Sequence, residues 1–338
     1  MKKFFCLILA GILFQLAFAK TPQWVNNPSK AYPAKDYFTA VGSGKSEQQA
    51  ELSAVENLAA IFGRNVRASS KTSSRLKQAE ENGTVSVGKT SDFSKDIMQR
   101  VSVEDLIGIE LKEYHNDGKK FYALAVMDKK KTEDILTSSI RTNNQRIENL
   151  LCATTTELYT LETYARFDFA REIAELDENF FSKLEVINVK SAEEFKGKMY
   201  TGSFVRSQML DVARAIPVYV NVNGPEKEKV FLAVSEMFSD FGFRVIDTKG
   251  SRYTFYVKTE QQNRETTDKK TVQCMYSFDG QLKDETEMEF LWSTSFTGRE
   301  SSSSLELLPS KTQRTMAKKI KEDCGRSFGK FLSTMRTE

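Results

Sequence analysis

Histidine and cysteine are scarce in this sequence, whose 338 residues include one histidine and four cysteines. Because zinc sites and histidine-dependent catalysis draw on these residue types, there is little here from which to build either kind of site. An excess of one charge is also missing, since 49 Lys and Arg oppose 46 Asp and Glu for a net charge of +3. Such a balance creates no strong field for attracting nucleic acid. We therefore expect no metal, no cofactor and no nucleic-acid partner.

Proline and glycine are also few, with 6 and 17 residues, so the chain is not collagen-like or of low complexity. With 40% hydrophobic residues it has enough apolar material for a packed core, and its length predicts two domains. The expected fold class is α+β. Two α/β sandwich-type domains, β-α-β-β-β and β-α-β-β-β-β-α, are predicted to be joined by long amphipathic helices.

The N-terminus predicts the compartment. Lys2 and Lys3 precede an apolar run over residues 4–18, and Ala17-Phe18-Ala19 supplies the small residues that signal peptidase requires. The run of about 15 residues is shorter than the roughly 20 that cross a bilayer. This favours a cleaved signal peptide over residues 1–19 and disfavours a retained transmembrane helix. The chain is therefore predicted to be periplasmic or exported, with association with the outer membrane left open.

The cysteine positions bear on anchoring and on disulfides. Cys6 lies near the start of the apolar run, whereas a lipidated cysteine follows the end of such a run, so a soluble protein is favoured over a lipid-anchored one. Cys274 and Cys324 fall in one predicted domain and could form a disulfide in an oxidising compartment. Cys152 falls in a helical stretch, where we expect a buried thiol.

Residues 20–128 are predicted to form the first domain, which begins with a strand followed by a helix. A strand at 37–41 ends at Gly42-Ser43-Gly44, and a capping box from Ser46 to Gln49 opens a helix with an apolar stripe. Further strands are predicted at 66–76, 93–103, 106–111 and 121–126, the last two as a hairpin around Asn116-Asp117-Gly118.

Residues 129–212 are predicted to be a helical segment, with a break at Thr154-Thr155-Thr156. Residues 213–338 are predicted to form the second α/β domain. It begins with a strand at 216–222 and a helix from Val230 to Phe241. Strands at 243–246, 253–257, 272–278 and 288–296 and a closing helix at 312–335 complete it.

Three features resemble catalytic or binding motifs but have simpler explanations. Gly42-Ser43-Gly44-Lys45-Ser46 looks like part of a phosphate-binding loop, but the first glycine of such a loop is replaced by Thr39, so no nucleotide partner is expected. His115 adjoins a turn and is predicted to be solvated. Carboxylates of the helical region are predicted to lie at the surface and not to form a glycosidase pair: Asp177, Glu178, Glu193 and Glu194. We assign no catalytic residue and expect no enzyme.

Trp24 is the candidate for partner contact. It lies in Pro22-Gln23-Trp24-Val25, just after the predicted cleavage site. Its side chain either packs back onto the domain as a hydrophobic plug or forms an anchor for a partner. The position favours the plug and leaves the anchor open.

Several of these segments together resemble a known family. Pro22-Gln23-Trp24-Val25, the run 37–44, the alanine-rich helix 49–62 and Asp117-Gly118 before 122–126 are similar to the bacterial Lpp-twenty-like outer-membrane lipoprotein domain, over about residues 21–151. The resemblance implies a non-enzymatic envelope protein without catalytic residues, in a family that includes flagellum-associated proteins. The chain departs from the family at the lipidation cysteine.

The leading hypothesis is an exported cell-envelope protein that works by protein-protein contact, with envelope proteins of an outer-membrane or flagellar assembly as partners. The alternative is a periplasmic binding module for a small ligand or a peptidoglycan fragment, held between the two α/β domains. Any membrane association is not expected to use a transmembrane helix.

Overall fold

The computed structural model describes residues 21–80, 107–154, 157–265 and 271–336. The predicted signal peptide at 1–19, with Cys6, and the predicted strand at 93–103 lie outside the described residues. The chain divides into two compact units: unit 1 contains the residues up to Ser138 and Phe180–Lys196, and unit 2 contains Ser139–Asn179 and the residues from Gly197 onward. The segment 129–212 contributes to both units, and the domain boundaries chosen from the sequence stay predictions.

Unit 1 is built on a three-stranded antiparallel sheet with the strand order β1-β3-β2. A short helix, α1 (Gln23–Asn26), and a 3-10 turn, Pro28–Lys30, precede β1 (Tyr37–Gly44). The long helix α2 (Glu47–Glu80) follows β1. The strands β2 (Ile109–Asn116) and β3 (Phe121–Asp128) form the predicted hairpin around Asn116-Asp117-Gly118.

Small residues let α2 lie directly on this sheet. A Cβ on Gly42 would lie 2.0 Å from the backbone nitrogen of Ala54, so only glycine permits the approach. The predicted apolar stripe of α2 faces the alanine-rich side of the sheet. The buried residues of this interface are Ala50, Ala54, Leu58 and Phe62 from the helix and Ala40, Ala123, Ala125 and Met127 from the strands.

The prediction of a strand at 66–76 is wrong, because these residues are part of α2, which continues to Glu80. The segment is rich in Ser, Thr, Lys and Arg, which is typical of a strand with one wet face. It contains no Gly or Pro after Gly63, however, and extending a helix that has already formed costs far less than starting a new element.

Two long helices follow β3, as predicted. The helices α3 (Lys129–Leu151) and α4 (Leu161–Ile187) are separated by a break that includes Thr154, while Thr155 and Thr156 lie outside the described residues. They are followed by α5 (Val189–Glu193) and α6 (Gly202–Ala215). No helix among the described residues is long and apolar enough to cross a membrane.

Unit 2 contains a five-stranded mixed sheet with the order β5-β4-β6-β7-β8. Its strands are β4 (Pro217–Asn223), β5 (Arg244–Ile246), β6 (Tyr253–Glu265), β7 (Val272–Asp284) and β8 (Glu289–Ser302). The helix α7 (Lys227–Asp240) connects β4 to β5, and α8 (Leu308–Lys319), a π-helical segment Ile320–Cys324 and α9 (Gly325–Thr334) follow β8. The predicted order β-α-β-β-β-β-α is confirmed.

One face of this sheet carries the core of unit 2. Alternate residues of β7, including Phe278 and Leu282, are buried together with apolar residues of α7, α8 and α9. The edge strand β8 is partly protected, because Lys311 Nζ and Lys319 Nζ of α8 donate to backbone carbonyls of β8 at 2.9 and 3.2 Å. These bonds occupy acceptors that would otherwise be open to strand pairing.

Candidate functional site

Trp24 lies inside unit 1. The helix α1 places its side chain against Leu124 and Val126 of β3, and the residue keeps 8% of its accessible surface. Partly buried side chains surround it: Val25, Tyr32, Tyr37, Val41 and Tyr122. This burial favours the hydrophobic plug, and a contact between Trp24 and a partner stays a prediction. We call the sheet surface that carries Trp24, Tyr32, Glu113, His115 and Tyr122 the Trp24 face.

Strand alternation decides which side chains reach the Trp24 face. In β3, Leu124 and Val126 pack with Trp24, whereas the residues between them pack on the α2 side. In β2 a bulge at Lys112 shifts the register, so that Glu113 pairs with Leu124 and His115 with Tyr122. The bulge turns Glu113 and His115 onto the Trp24 face. Without it, the alternation that begins at Glu110 would place Lys112 and Tyr114 on this face instead.

Tyr32 connects the segment after α1 to the sheet. Its hydroxyl donates to Glu113 Oε1 at 3.4 Å, and its ring meets Tyr37 edge-on with 5.5 Å between centroids. Burial and the adjacent Glu113 carboxylate raise the pKa of Tyr32. The phenol therefore stays protonated and donates to the carboxylate at physiological pH.

His115 is part of the sheet surface and not the solvated turn residue that the sequence predicts. It is half-buried, its ring stacks on Tyr122 with 6.1 Å between centroids, and its Nε2 has no partner among the described residues. The Tyr122 hydroxyl donates to Asp117 Oδ2 at 3.2 Å, and the amides of Lys119 and Lys120 donate to Asp117 Oδ1 at 2.8 and 2.7 Å. These bonds, led by that from Lys120, lower the pKa of Asp117.

The Trp24 face is suited to binding. The hydroxyls of Tyr32 and Tyr122 are bonded to carboxylates beside their rings, and such a surface can present aromatic edges and acceptor oxygens to another molecule. Of its residues, the sequence singled out Trp24 and His115 and missed Tyr32, Glu113 and Tyr122. Tyr122 could have been found from the sequence, because the predicted hairpin around Asn116-Asp117-Gly118 places it opposite His115.

The Gly42–Ser46 segment caps the helix α2, and the absence of a nucleotide partner stays a prediction. Gln49 N donates to Ser46 Oγ at 3.3 Å, and Lys45 N donates to Gln49 Oε1 at 3.0 Å. A Cβ on Gly44 would lie 2.4 Å from the Gln49 Cβ. The amide of Gln49 at the start of α2 is therefore bonded within the chain, to Ser46. The return bond from the Gln49 side chain reaches the amide of Lys45, one residue before the position that it reaches in the ideal capping box.

Asp177 is fully buried, so the surface position predicted for it is wrong. Asn143 Nδ2 donates to Asp177 Oδ1 at 2.6 Å, and Oδ2 has no partner among the described residues. Desolvation raises the pKa of Asp177 to about 6, against the opposing effect of the Asn143 bond. The other carboxylates of that prediction, Glu178, Glu193 and Glu194, are exposed as predicted.

The predicted disulfide between Cys274 and Cys324 is absent, and both residues are buried free thiols. Thr294 Oγ1 donates to Cys324 Sγ at 3.5 Å, and Thr294 pairs with Gly280, which lies six residues along β7 from Cys274. At about 3.3 Å per residue the two cysteines are roughly 20 Å apart, far beyond the reach of a disulfide. Cys152 follows α3 and is exposed, so the burial predicted for it is wrong.

Residues 22–128 match a family model described as LPP20 lipoprotein. The resemblance found in the sequence is thereby confirmed over that range, which is less than half of the chain. No curated protein matches the chain.

Several solved structures are similar at low identity. A secreted protein of Helicobacter pylori is 10% identical, with 84% of this chain and 96% of that chain covered and a TM-score of 0.41. A minor lipoprotein of Acinetobacter baumannii is 11% identical, with 35% and 91% covered and a TM-score of 0.25. A lipoprotein of Neisseria meningitidis is 14% identical, with 30% and 96% covered and a TM-score of 0.22.

Proposed function

We propose that this chain is an exported, non-enzymatic protein of the bacterial cell envelope that works by protein-protein contact in an outer-membrane or flagellar assembly. The observation that carries the proposal is the match of residues 22–128 to the LPP20 lipoprotein family. Export is supported by the signal-peptide pattern of residues 1–19.

The geometry of the Trp24 face supports contact as the mode of action. Hydrogen bonds hold two of its tyrosines in place, Tyr32 to Glu113 within the face and Tyr122 to Asp117 in the adjacent turn, so that this part of the surface is preformed. In this proposal Trp24 is the plug beneath the surface. Tyr32, Glu113 and Tyr122 are the groups that a partner meets.

Fractionation of cells that express the full chain, with mass spectrometry of the mature N-terminus, tests export. We expect an envelope-associated chain that begins at Lys20. A chain recovered in the cytoplasm with residues 1–19 intact would contradict export, and a lipid-modified Cys6 would replace the soluble form by an anchored one.

Cross-linking and affinity recovery from the same envelopes test contact. We expect wild type and Tyr159→Thr, which alters a tyrosine of unit 2 that is 52% exposed, to recover the same envelope protein. Tyr122→Thr is expected to lose that protein while it keeps a cooperative thermal transition. Recovery of the chain alone by every variant would contradict the proposal. Sedimentation with purified peptidoglycan but with no protein would favour the binding-module alternative.

A further inference from the structure

Two apolar side chains are exposed where β7 turns into β8, Met288 in the turn and Phe290 at the start of β8. Met288 keeps 67% and Phe290 keeps 59% of its accessible surface. Isolated apolar residues are common on protein surfaces, so this exposure alone carries no conclusion. We call residues 285–290 the tip.

The backbone at Met288 is unusual for this residue type. Its φ is 59°, in the left-handed region where a Cβ is disfavoured and glycine is the usual occupant. The side chain buries little apolar area within the fold, because it is 67% exposed, and Lys283 Nζ donates a long hydrogen bond to its sulfur at 3.7 Å. A local rule is therefore broken without a compensating gain in packing, which is a pattern found at functional positions.

Hydrogen bonds to the buried Asp284 fix the backbone of the tip. Asp284 is 3% exposed, and its Oδ1 accepts from the amides of Thr286 and Glu287 at 2.8 and 3.3 Å. Its Oδ2 accepts from Arg252 at 2.8 Å, and the amide of Glu285 donates to the Arg252 carbonyl at 2.7 Å. The apolar side chains thus project from an ordered turn, so that binding would cost little backbone entropy.

Carboxylates surround this apolar centre. Glu287 and Glu289 flank Met288 and are exposed, and Glu285 is half-buried in an ion pair with Lys283 at 2.7 Å. A negative rim repels an anionic lipid surface and complements a pocket with Lys or Arg at its edge. We propose that the tip docks into an apolar pocket with a basic rim on a partner protein. This inference rests on the proposed function, because it adds a second surface, in unit 2, to the contact proposed through the Trp24 face.

Two substitutions separate the side chains from the backbone. Met288→Gly removes an apolar group and suits the left-handed backbone, so we expect the melting temperature of the full chain to rise by roughly 2 °C. Phe290→Thr keeps a residue that favours strands, and we expect a change within about 1 °C. Met275→Thr, at a methionine of β7 that is 47% exposed, is the matched control. A lower melting temperature for Met288→Gly would overturn the argument from backbone strain.

Photo-cross-linking in intact cells tests docking, with benzoylphenylalanine placed at position 290 or at the control position 275 of the full chain. We expect position 290 to label one partner protein, in a peptide with Lys or Arg beside apolar residues. Met288→Gly is expected to lower that yield by at least about tenfold, and Met275→Thr to leave it unchanged. High salt should weaken the contact.

The other outcomes overturn the inference. Labelling of lipid, or binding to vesicles of anionic phospholipid, would make the tip a membrane contact. Labelling of a second copy of this chain would make it a self-association surface, and equal yields at positions 275 and 290, or none at 290, would remove it as a docking site. If the proposed function itself fails, wild type recovers no envelope protein. If only this inference fails, wild type and Met288→Gly recover the same protein equally.

Discussion

Replacing Asp177 by Asn is expected to stabilise unit 2 at neutral pH. Asp177 in α4 is fully buried, and within the described part of the chain its carboxylate accepts one hydrogen bond, from Asn143 at 2.6 Å. An ionised carboxylate in this position loses the stabilisation that water provides, and the hydrogen bond from Asn143 replaces only part of that stabilisation. Desolvation therefore raises the pKa of Asp177 to about 6. Asparagine keeps an acceptor for Asn143 and does not ionise.

The sign and size of the effect follow from this pKa. Since the folded chain holds the proton to a higher pH than the unfolded chain, stability falls as the pH rises from about 4, and the full cost is present above about pH 7. A rise in the pKa of Asp177 from 3.8 to about 6 corresponds to about 3 kcal/mol. We expect Asp177→Asn to increase the free energy of unfolding by about 2–3 kcal/mol near pH 8 and by less than about 0.5 kcal/mol near pH 4.

Urea unfolding followed by tryptophan fluorescence provides the measurement. The chain has two tryptophans, Trp24 in unit 1 and Trp292 in unit 2, so a Trp24→Phe background makes the emission report on unit 2. Asp279→Asn, at an exposed carboxylate of β7, serves as the control for removing a carboxylate at the surface. A destabilised Asp177→Asn protein near pH 8, or a difference that is the same at both pH values, would refute the reasoning.

Three further predictions concern packing and cysteine chemistry. Trp24→Ala is expected to cost about 3 kcal/mol in unit 1 by thermal circular dichroism, and unchanged melting would contradict the plug. Gly42→Ala places a methyl group 2.0 Å from the Ala54 nitrogen and should cost roughly 3 kcal/mol of stability. Gly63→Ala is the control, because its methyl group meets nothing within 4 Å, and it should stabilise α2 by about 0.5–1 kcal/mol. Equal effects of the two substitutions would contradict the packing of α2 on the sheet. In the absence of reductant, Cys152, Cys274 and Cys324 should all react with Ellman's reagent after unfolding. In the folded protein only the exposed Cys152 of these three should react rapidly. Two thiols fewer than expected after unfolding would show that Cys274 and Cys324 form a disulfide.

Local patterns predicted most elements, because their residues carry the relevant periodicity. The apolar stripe from Val230 to Phe238 and the alternation along β7 each depend on neighbours within the same element. The error at 66–76 arose where local preference is weak, since Ser, Thr and Lys are compatible with either a strand or a helix. The preceding helix decided the outcome by continuing to Glu80.

The candidate site was harder to predict because it depends on register. One inserted residue, Lys112, decides that Glu113 and His115 face Trp24, and no composition pattern marks that bulge. The same limit applies to Cys274 and Cys324, which share a unit but are separated along β7 by the strand register. Membership of one domain is a weak criterion for a disulfide, because the bond requires Cα atoms within about 7 Å.

Asp177 and Met288 both depart from a local rule, and their accessibility distinguishes what each departure implies. The buried carboxylate of Asp177 has no exposed surface that a partner could meet, so its cost is expressed only in stability and in the pH dependence of unfolding. Met288 carries its cost in the backbone while its side chain stays 67% exposed on an ordered turn. Replacing Met288 by glycine would relieve this backbone strain. The methionine is more readily retained if its side chain contributes to a contact with another protein. The tip is for this reason the place in unit 2 where we look for a partner.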